Sequence, residues 1–199
     1  MNKRILVAAL LAAALPAMAG VPARATGVTY RIDPNHTVVL ATWSHFGYSN
    51  PSANFGGATG TITYDAAAPE KSSVEVVLPM SGLDTFVPRL DEHLKTADFF
   101  DAAQYPQATF RSTSVKALGE GRLEVTGTLE LHGVQKPVVL EAKLNKVADG
   151  DGSRPGKIGF DATATLKRSD FGITRMIPMV ADEVALRITT EAGAETGGQ

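Results

Sequence analysis

The 199-residue sequence contains no cysteine. That removes thiol catalysis, thiolate metal sites and disulfide bonds together, so stability must come from an ordinary core. A lipoprotein anchor through a lipidated cysteine is excluded for the same reason. Basic residues are not in excess: 19 Lys and Arg stand against 21 Asp and Glu. Nucleic acid and anionic lipid head groups both call for a basic patch, so neither is an expected partner. An apolar run long enough to span a bilayer is also missing. The longest, residues 5–15, is about half of what a ~30 Å hydrocarbon core requires.

That short run has the form of a secretory signal. Lys3 and Arg4 precede it, and small residues follow at Ala17-Met18-Ala19 and Ala23-Arg24-Ala25. Cleavage after Ala25 is favoured, because the chain then starts just before the first strand-like residues; cleavage after Ala19 is the alternative. Without Lys3, Arg4 and Arg24 the basic count is 16 against 21 acidic residues, a net charge of about −5.

What fills the remainder is period-two alternation. Leu123, Val125, Leu129 and Leu131 alternate with polar neighbours, as do Val138, Leu140, Ala142 and Leu144. The same holds for Ile158, Phe160, Ala162, Ala164 and Leu166, and for Val184, Leu186 and Ile188. Each segment has one apolar and one wet face, the pattern of antiparallel strands solvated on one side. Segments 28–33, 37–46, 58–65 and 73–83 add earlier strands, for eight or nine in all. Turn chemistry separates them: Asp33-Pro34-Asn35-His36, Gly119-Glu120-Gly121, His132 to Pro137, and a longer Gly/Asp-rich loop over 149–156. One stretch, 87–100, places Val87, Leu90, Leu94 and Ala97 at helical spacing and reads as one helix, a lid or plug for a barrel mouth. The tail 193–199 reads as disordered.

Such a set folds as a two-sheet sandwich or a closed barrel. Small residues on the apparent inner faces (Ala58, Gly60, Gly127, Ala142, Ala162, Ala164) favour a hollow barrel, and about eight strands can enclose one small ligand. Inward apolar positions expected to line the space are Ile62, Val76, Leu78, Phe110, Leu129, Leu140, Phe160 and Leu186. Trp43, Phe46, Phe86, Leu94, Phe99, Phe100 and Phe171 are expected to close it, with Arg89, His93 or Arg168 meeting a polar head group. The segment Thr174-Arg175-Met176-Ile177-Pro178-Met179 reads as a loop over the mouth, where Met suits adaptable apolar contact.

Enzyme chemistry finds little support. No Gly-x-Ser-x-Gly elbow is present, and Asp170-Phe171-Gly172 lacks the other kinase elements. The Gly-rich 56–60 segment precedes a strand, not a helix that could bind an anion. The four histidines, His36, His45, His93 and His132, show no close ligand spacing. A metal-dependent protein or enzyme using Asp33, His36 and His45 is the rival reading. A stress-related interaction module with a filled barrel is the third.

Several motifs in order give the chain a familiar form. They are Tyr30-Arg31-Ile32-Asp33-Pro34-Asn35-His36-Thr37, Trp43-Ser44-His45-Phe46-Gly47-Tyr48, and Arg89-Leu90-Asp91-Glu92-His93-Leu94-Lys95-Thr96-Ala97-Asp98-Phe99-Phe100. Tyr105-Pro106-Gln107-Ala108-Thr109-Phe110, Leu129-Glu130-Leu131-His132-Gly133-Val134, Arg168-Ser169-Asp170-Phe171-Gly172 and Asp182-Glu183-Val184 follow. Together they resemble the YceI-like family of bacterial periplasmic proteins over 28–192. The resemblance implies an all-β protein with one short helix, an extended lipocalin-like eight-stranded antiparallel β-barrel. It implies a bound polyisoprenoid or isoprenoid quinone and no catalytic reaction. An amphiphilic lipid is then the expected partner, with a homodimer as an allowed assembly.

Overall fold

The computed structural model of the chain describes residues 27–151 and 155–195. The segment expected to be a signal peptide lies outside them. Ten strands form one sheet: β1 (Val28–Thr42), β2 (Ser52–Phe55), β3 (Thr59–Tyr64), β4 (Ser73–Pro79), β5 (Leu83–Asp84), β6 (Gln107–Gly119), β7 (Arg122–Leu131), β8 (Val134–Ala148), β9 (Lys157–Lys167) and β10 (Glu183–Ala194). Among the described residues the one α-helix, α1, is Pro88–Leu94.

Eight strands close a barrel in the order β1-β3-β4-β6-β7-β8-β9-β10, and β10 pairs back onto β1. Every pairing is antiparallel. Closure leaves no barrel edge to template aggregation. The alternation in the sequence has its cause here, since one face of each strand is turned to the barrel interior.

β2 and β5 lie outside this ring and shape the site. The first residues of β1, Val28–Arg31, pair with β3, but its last residues, Leu40–Thr42, pair with β2. β2 in turn pairs with β5. At the end where β1 finishes, the wall is therefore widened by two extra short strands and by the chain that runs from β5 through α1 to β6.

The segments 28–33 and 37–46, expected as two strands around a turn, form one strand with a bulge. Ile32 pairs with Ala192, yet Thr37 pairs with Thr190, so five steps along β1 match two along β10. Pro34 has no N–H to give a ladder. The Asp33 carboxylate accepts the Asn35 N–H at 2.9 Å and pairs with His36 Nδ1 at 2.7 Å, which stabilises the loop-out.

The helix is also shorter than the 87–100 stripe. Thr96 ends it: its hydroxyl and its N–H both donate to the His93 carbonyl, at 2.8 and 3.2 Å. The His132-Gly133 turn is only two residues long, and β8 begins at Val134. Both turn residues have positive φ, 53° and 72°, as a primed hairpin turn requires. The ring of Tyr105 lies so near that a Cβ on Gly133 would sit 2.5 Å from it. Nor does the tail begin at 193. Gly193 and Ala194 pair with Arg31 and Tyr30, and Glu195 donates to the Thr29 carbonyl at 2.9 Å. Residues 196–199 lie outside the described part.

The barrel end away from α1 is packed. Tyr30, Ile32, Ile62, Tyr64, Val115, Leu123, Val125, Ile158, Phe160 and Ala192 form its core, with Tyr64 edge-on to Phe160 at 5.8 Å.

Candidate binding cavity

The other end is hollow. A cavity of about 570 Å³ extends from the loops that cap it into the barrel. A second space of about 160 Å³ continues into the packed half. Val39, Leu78, Leu129 and Leu186 line both and form the neck between them. The larger volume is within the range of small-molecule sites, ~300–1,000 Å³.

The walls are overwhelmingly apolar. All eight inward positions read from the alternation face one or both spaces: Leu78, Leu129 and Leu186 at the neck, and Ile62, Val76, Phe110, Leu140 and Phe160 in the deep part. Trp43, Phe46, Leu94, Phe99, Phe100 and Phe171 line the mouth cavity, with His93 and Arg168. Phe171 is fully buried. Edge-to-face contacts fix two of the rings, Phe100 against Phe55 at 5.7 Å and Phe99 against His93 at 4.9 Å.

Three expectations need correction. Phe86 does not close the cavity; it is 71% exposed and is not part of the lining. Arg89 is exposed on α1 and is not part of the lining, because the helical stripe turns Leu90 and Leu94 inward instead. Arg168 lines the cavity, but its guanidinium is already engaged. It donates to the carbonyls of Ile173, Arg175, Val180 and Ala181 at 2.7–3.1 Å. Four of its five N–H groups are used in this way. Burial among these groups pulls its pKa below the usual arginine value, while Asp182 acts in the opposite sense. Arg168 thus holds the 172–182 loop in shape and is not free for a head group.

That loop is the second wall of the mouth. It runs beside the 43–51 loop: Phe46 N–H donates to the Met179 carbonyl at 2.7 Å, and Ala181 N–H to the Ser44 carbonyl at 2.9 Å. Asp182 anchors its end, accepting the Ser169 N–H at 2.9 Å and hydroxyl at 2.7 Å. These bonds hold the Asp182 carboxyl below the ordinary carboxylate range, the Ser169 hydroxyl most of all. On the facing side Asp91 ties α1 to the segment after β5. Its Oδ1 accepts the Thr85 hydroxyl at 2.5 Å and the Thr85 N–H at 2.7 Å, which lowers its pKa.

Polar groups on the lining are few and gather at the mouth: His45, Ser49, His93 and Arg175 beside Arg168. Deep in the barrel, Thr37 and Thr190 satisfy one another at 2.8 Å. His132 donates from Nδ1 to the Phe171 carbonyl at 2.9 Å, a structural role. Asp33 and His36 pair with each other on the β1 bulge, whereas His45 lies beyond the far end of that strand. No three His, Cys, Asp or Glu side chains converge among the described residues.

Sequence reading overlooked several lining residues. Val39 and Ala41 were available, because they share one period-two face of β1 that leads on to Trp43 just past its end. Phe55 and Met80 were not: β2 has only four residues and Met80 sits in a single 3₁₀ turn, so neither carries a pattern. Small inward residues also explain less of the hollow than expected. Ala142 and Ala162 line the deep space, but Gly127 is covered by the Phe110 ring and Gly60 faces the Glu75 carbonyl. Width at the mouth comes from β2, β5 and the α1 segment.

No described helix is long and apolar enough to cross a membrane. A family model described as a YceI-like domain matches residues 30–192. A UPF0312 protein of Ectopseudomonas mendocina is 38% identical over 196 residues, 96% of this chain and 98% of that protein. The Campylobacter jejuni YceI protein has a solved structure 32% identical to this chain, covering 77% of it and 90% of that chain, with a TM-score of 0.68. A polyisoprenoid-binding domain from Saccharophagus degradans, implicated in plant cell wall breakdown, shares the fold at 16% identity. Its TM-score is 0.65 over 84% of this chain and 99% of that one. By the extent of the family match and by these relatives, the chain is a member of the YceI-like family.

Proposed function

We propose that the protein is an exported, non-enzymatic carrier that holds a polyisoprenoid or a similar amphiphile, such as an isoprenoid quinone, inside its barrel. The observation that carries this reading is the apolar cavity, open at one end and continued into a narrower space at the other. A long apolar chain is the shape that fits. Each buried CH₂ contributes about 0.8 kcal/mol, so a prenyl chain is retained without any charged contact. The polar head would rest at the mouth against His45, Ser49, His93 and Arg175, which set its orientation. The Saccharophagus domain, described as polyisoprenoid-binding, has the same fold and so supports the ligand class by analogy alone. Export rests on Lys3, Arg4 and the apolar run after them. The periplasm is the compartment that fits a bacterial family of this kind.

Native mass spectrometry and organic extraction of protein purified from the periplasm test the proposal. The expected result is a prenyl lipid at near one per chain. Protein that is exported and folded but yields no lipid, and that takes up none when offered, would overturn it.

A further inference from the structure

Eleven large apolar side chains are exposed among the described residues, and six of them lie on the three segments whose other residues line the cavity mouth. Phe46 and Tyr48 are on the 43–51 loop, Phe86 and Val87 on the segment leading into α1, and Met176 and Met179 on the 172–182 loop. The other five are scattered singly along β1, β6 and β8. Scattered residues of that kind are ordinary, but a cluster around an opening is not. Tyr48 is 92% exposed.

The backbone makes this cluster harder to dismiss. Phe46, Phe86 and Met176 have φ of 53°, 64° and 66°. Bulky L-residues rarely adopt such values, at a cost of order 1–3 kcal/mol each. Burial does not offset this, because all three side chains are exposed. The segments are nonetheless tied down, two of them by the Phe46–Met179 backbone bond and the Arg168 guanidinium, the third by the Thr85 bonds to Asp91. The result is a rigid apolar rim presented to the outside.

We propose that this rim docks on a lipid bilayer, inserting its six apolar side chains shallowly so that the cavity opens into the membrane. The proposal rests on the reading of the cavity as a lipid site. A water-insoluble chain must enter through the mouth, so whatever covers the mouth must itself be apolar and able to yield or accept a chain. A second copy fits less well. At about 200 Å² per large side chain and partial exposure, the rim offers on the order of 600 Å², short of the ~800 Å² per partner of a stable interface. Exposed charges beside the rim are of both signs, Arg89 and Arg175 with Glu92 and Asp98. Insertion, not attraction to anionic head groups, therefore supplies the binding. A shallow anchor of this kind is weak and reversible, as a carrier needs.

Flotation with phosphatidylcholine vesicles, using protein recovered after export, provides the test. The protein should float with the vesicles at low and high salt alike. Tyr48→Ser with Met179→Ser should cut the bound fraction roughly tenfold, since both are surface residues of the rim. Val139→Thr, on the outer barrel wall, should leave it unchanged. No flotation, or flotation indifferent to the double variant, overturns the proposal. A dimer that the double variant disperses, without vesicle binding, overturns it in favour of a second copy. Lipid extraction of the same samples separates the two readings. Bound lipid without rim-dependent flotation leaves the carrier standing and removes the docking, and rim-dependent flotation of lipid-free protein does the reverse.

Discussion

The ring of Phe110 occupies the space that a side chain at Gly127 would need. A Cβ on Gly127 would lie 2.4 Å from Phe110 Cζ and 2.6 Å from the Arg111 carbonyl oxygen. These residues are on the paired strands β6 and β7, and the ring covers the glycine on the barrel's inner side. Gly127→Ala should therefore push Phe110 into the deep space and strain the β6 backbone. A loss of about 1–3 kcal/mol is expected, as for overpacking in general, read as a fall in Tm. Gly193→Ala is the control. A Cβ there meets nothing within 4 Å, so its Tm should hardly move.

Arg168 makes the 172–182 loop a fixed wall by donating to four of its carbonyls. Arg168→Ala leaves those acceptors to find other donors and should cost about 2–4 kcal/mol. Arg168→Lys should rescue little, because an ammonium cannot span carbonyls that a planar fork reaches together. Hydrogen exchange provides the local check. The Phe46 and Ala181 amides, which bond across to and from this loop, should lose protection in both variants before the barrel strands do.

How much of this was legible depends on element length. A strand of ten or more residues repeats its two-residue period several times, so the inward faces of β7 to β10 could be read directly, and with them Leu129, Leu140, Phe160 and Leu186; β6 is as long, but bulges at Ser112/Ser114 and Ala117/Gly119 break its period. β2 and β5, at four and two residues, are too short to register, although they widen the mouth. Phe86 was misplaced because its positive φ turns it out of line with the apolar stripe that follows. Arg168 was misplaced because its partners are backbone carbonyls, which every residue has and no sequence pattern marks.

Asp91 and Asp182 give the mouth a defined acid response. Both carboxyls are held below their ordinary range by hydrogen bonds, from Thr85 and from Ser169 respectively. A group whose folded pKa is depressed contributes its full stability above the unfolded value and loses it as pH falls through the folded one. The loss should therefore begin below about pH 4, where an ordinary Asp starts to protonate. Exchange of the Thr85 and Ser169 amides between pH 6 and pH 3 should show both contacts opening. In Asp91→Asn the amide oxygen still accepts from Thr85 but cannot titrate. The Thr85 amide should then lose its acid response, while the Ser169 amide keeps its own.

The neck offers the most direct control over cargo. Val39, Leu78, Leu129 and Leu186 are the residues shared by the mouth cavity and the deep space. A larger side chain there closes the passage while leaving the mouth and its polar groups in place. Leu129 is suited to this because it lines both spaces and is not fully buried, so the cavity itself can take the added volume. Leu129→Trp should fold with a Tm near that of the unaltered protein. Its bound lipid, measured by native mass spectrometry, should be shorter in chain or reduced in amount. A cargo unchanged in length and occupancy would mean that the deep space takes no part in holding it, and that the chain is accommodated in the mouth cavity alone.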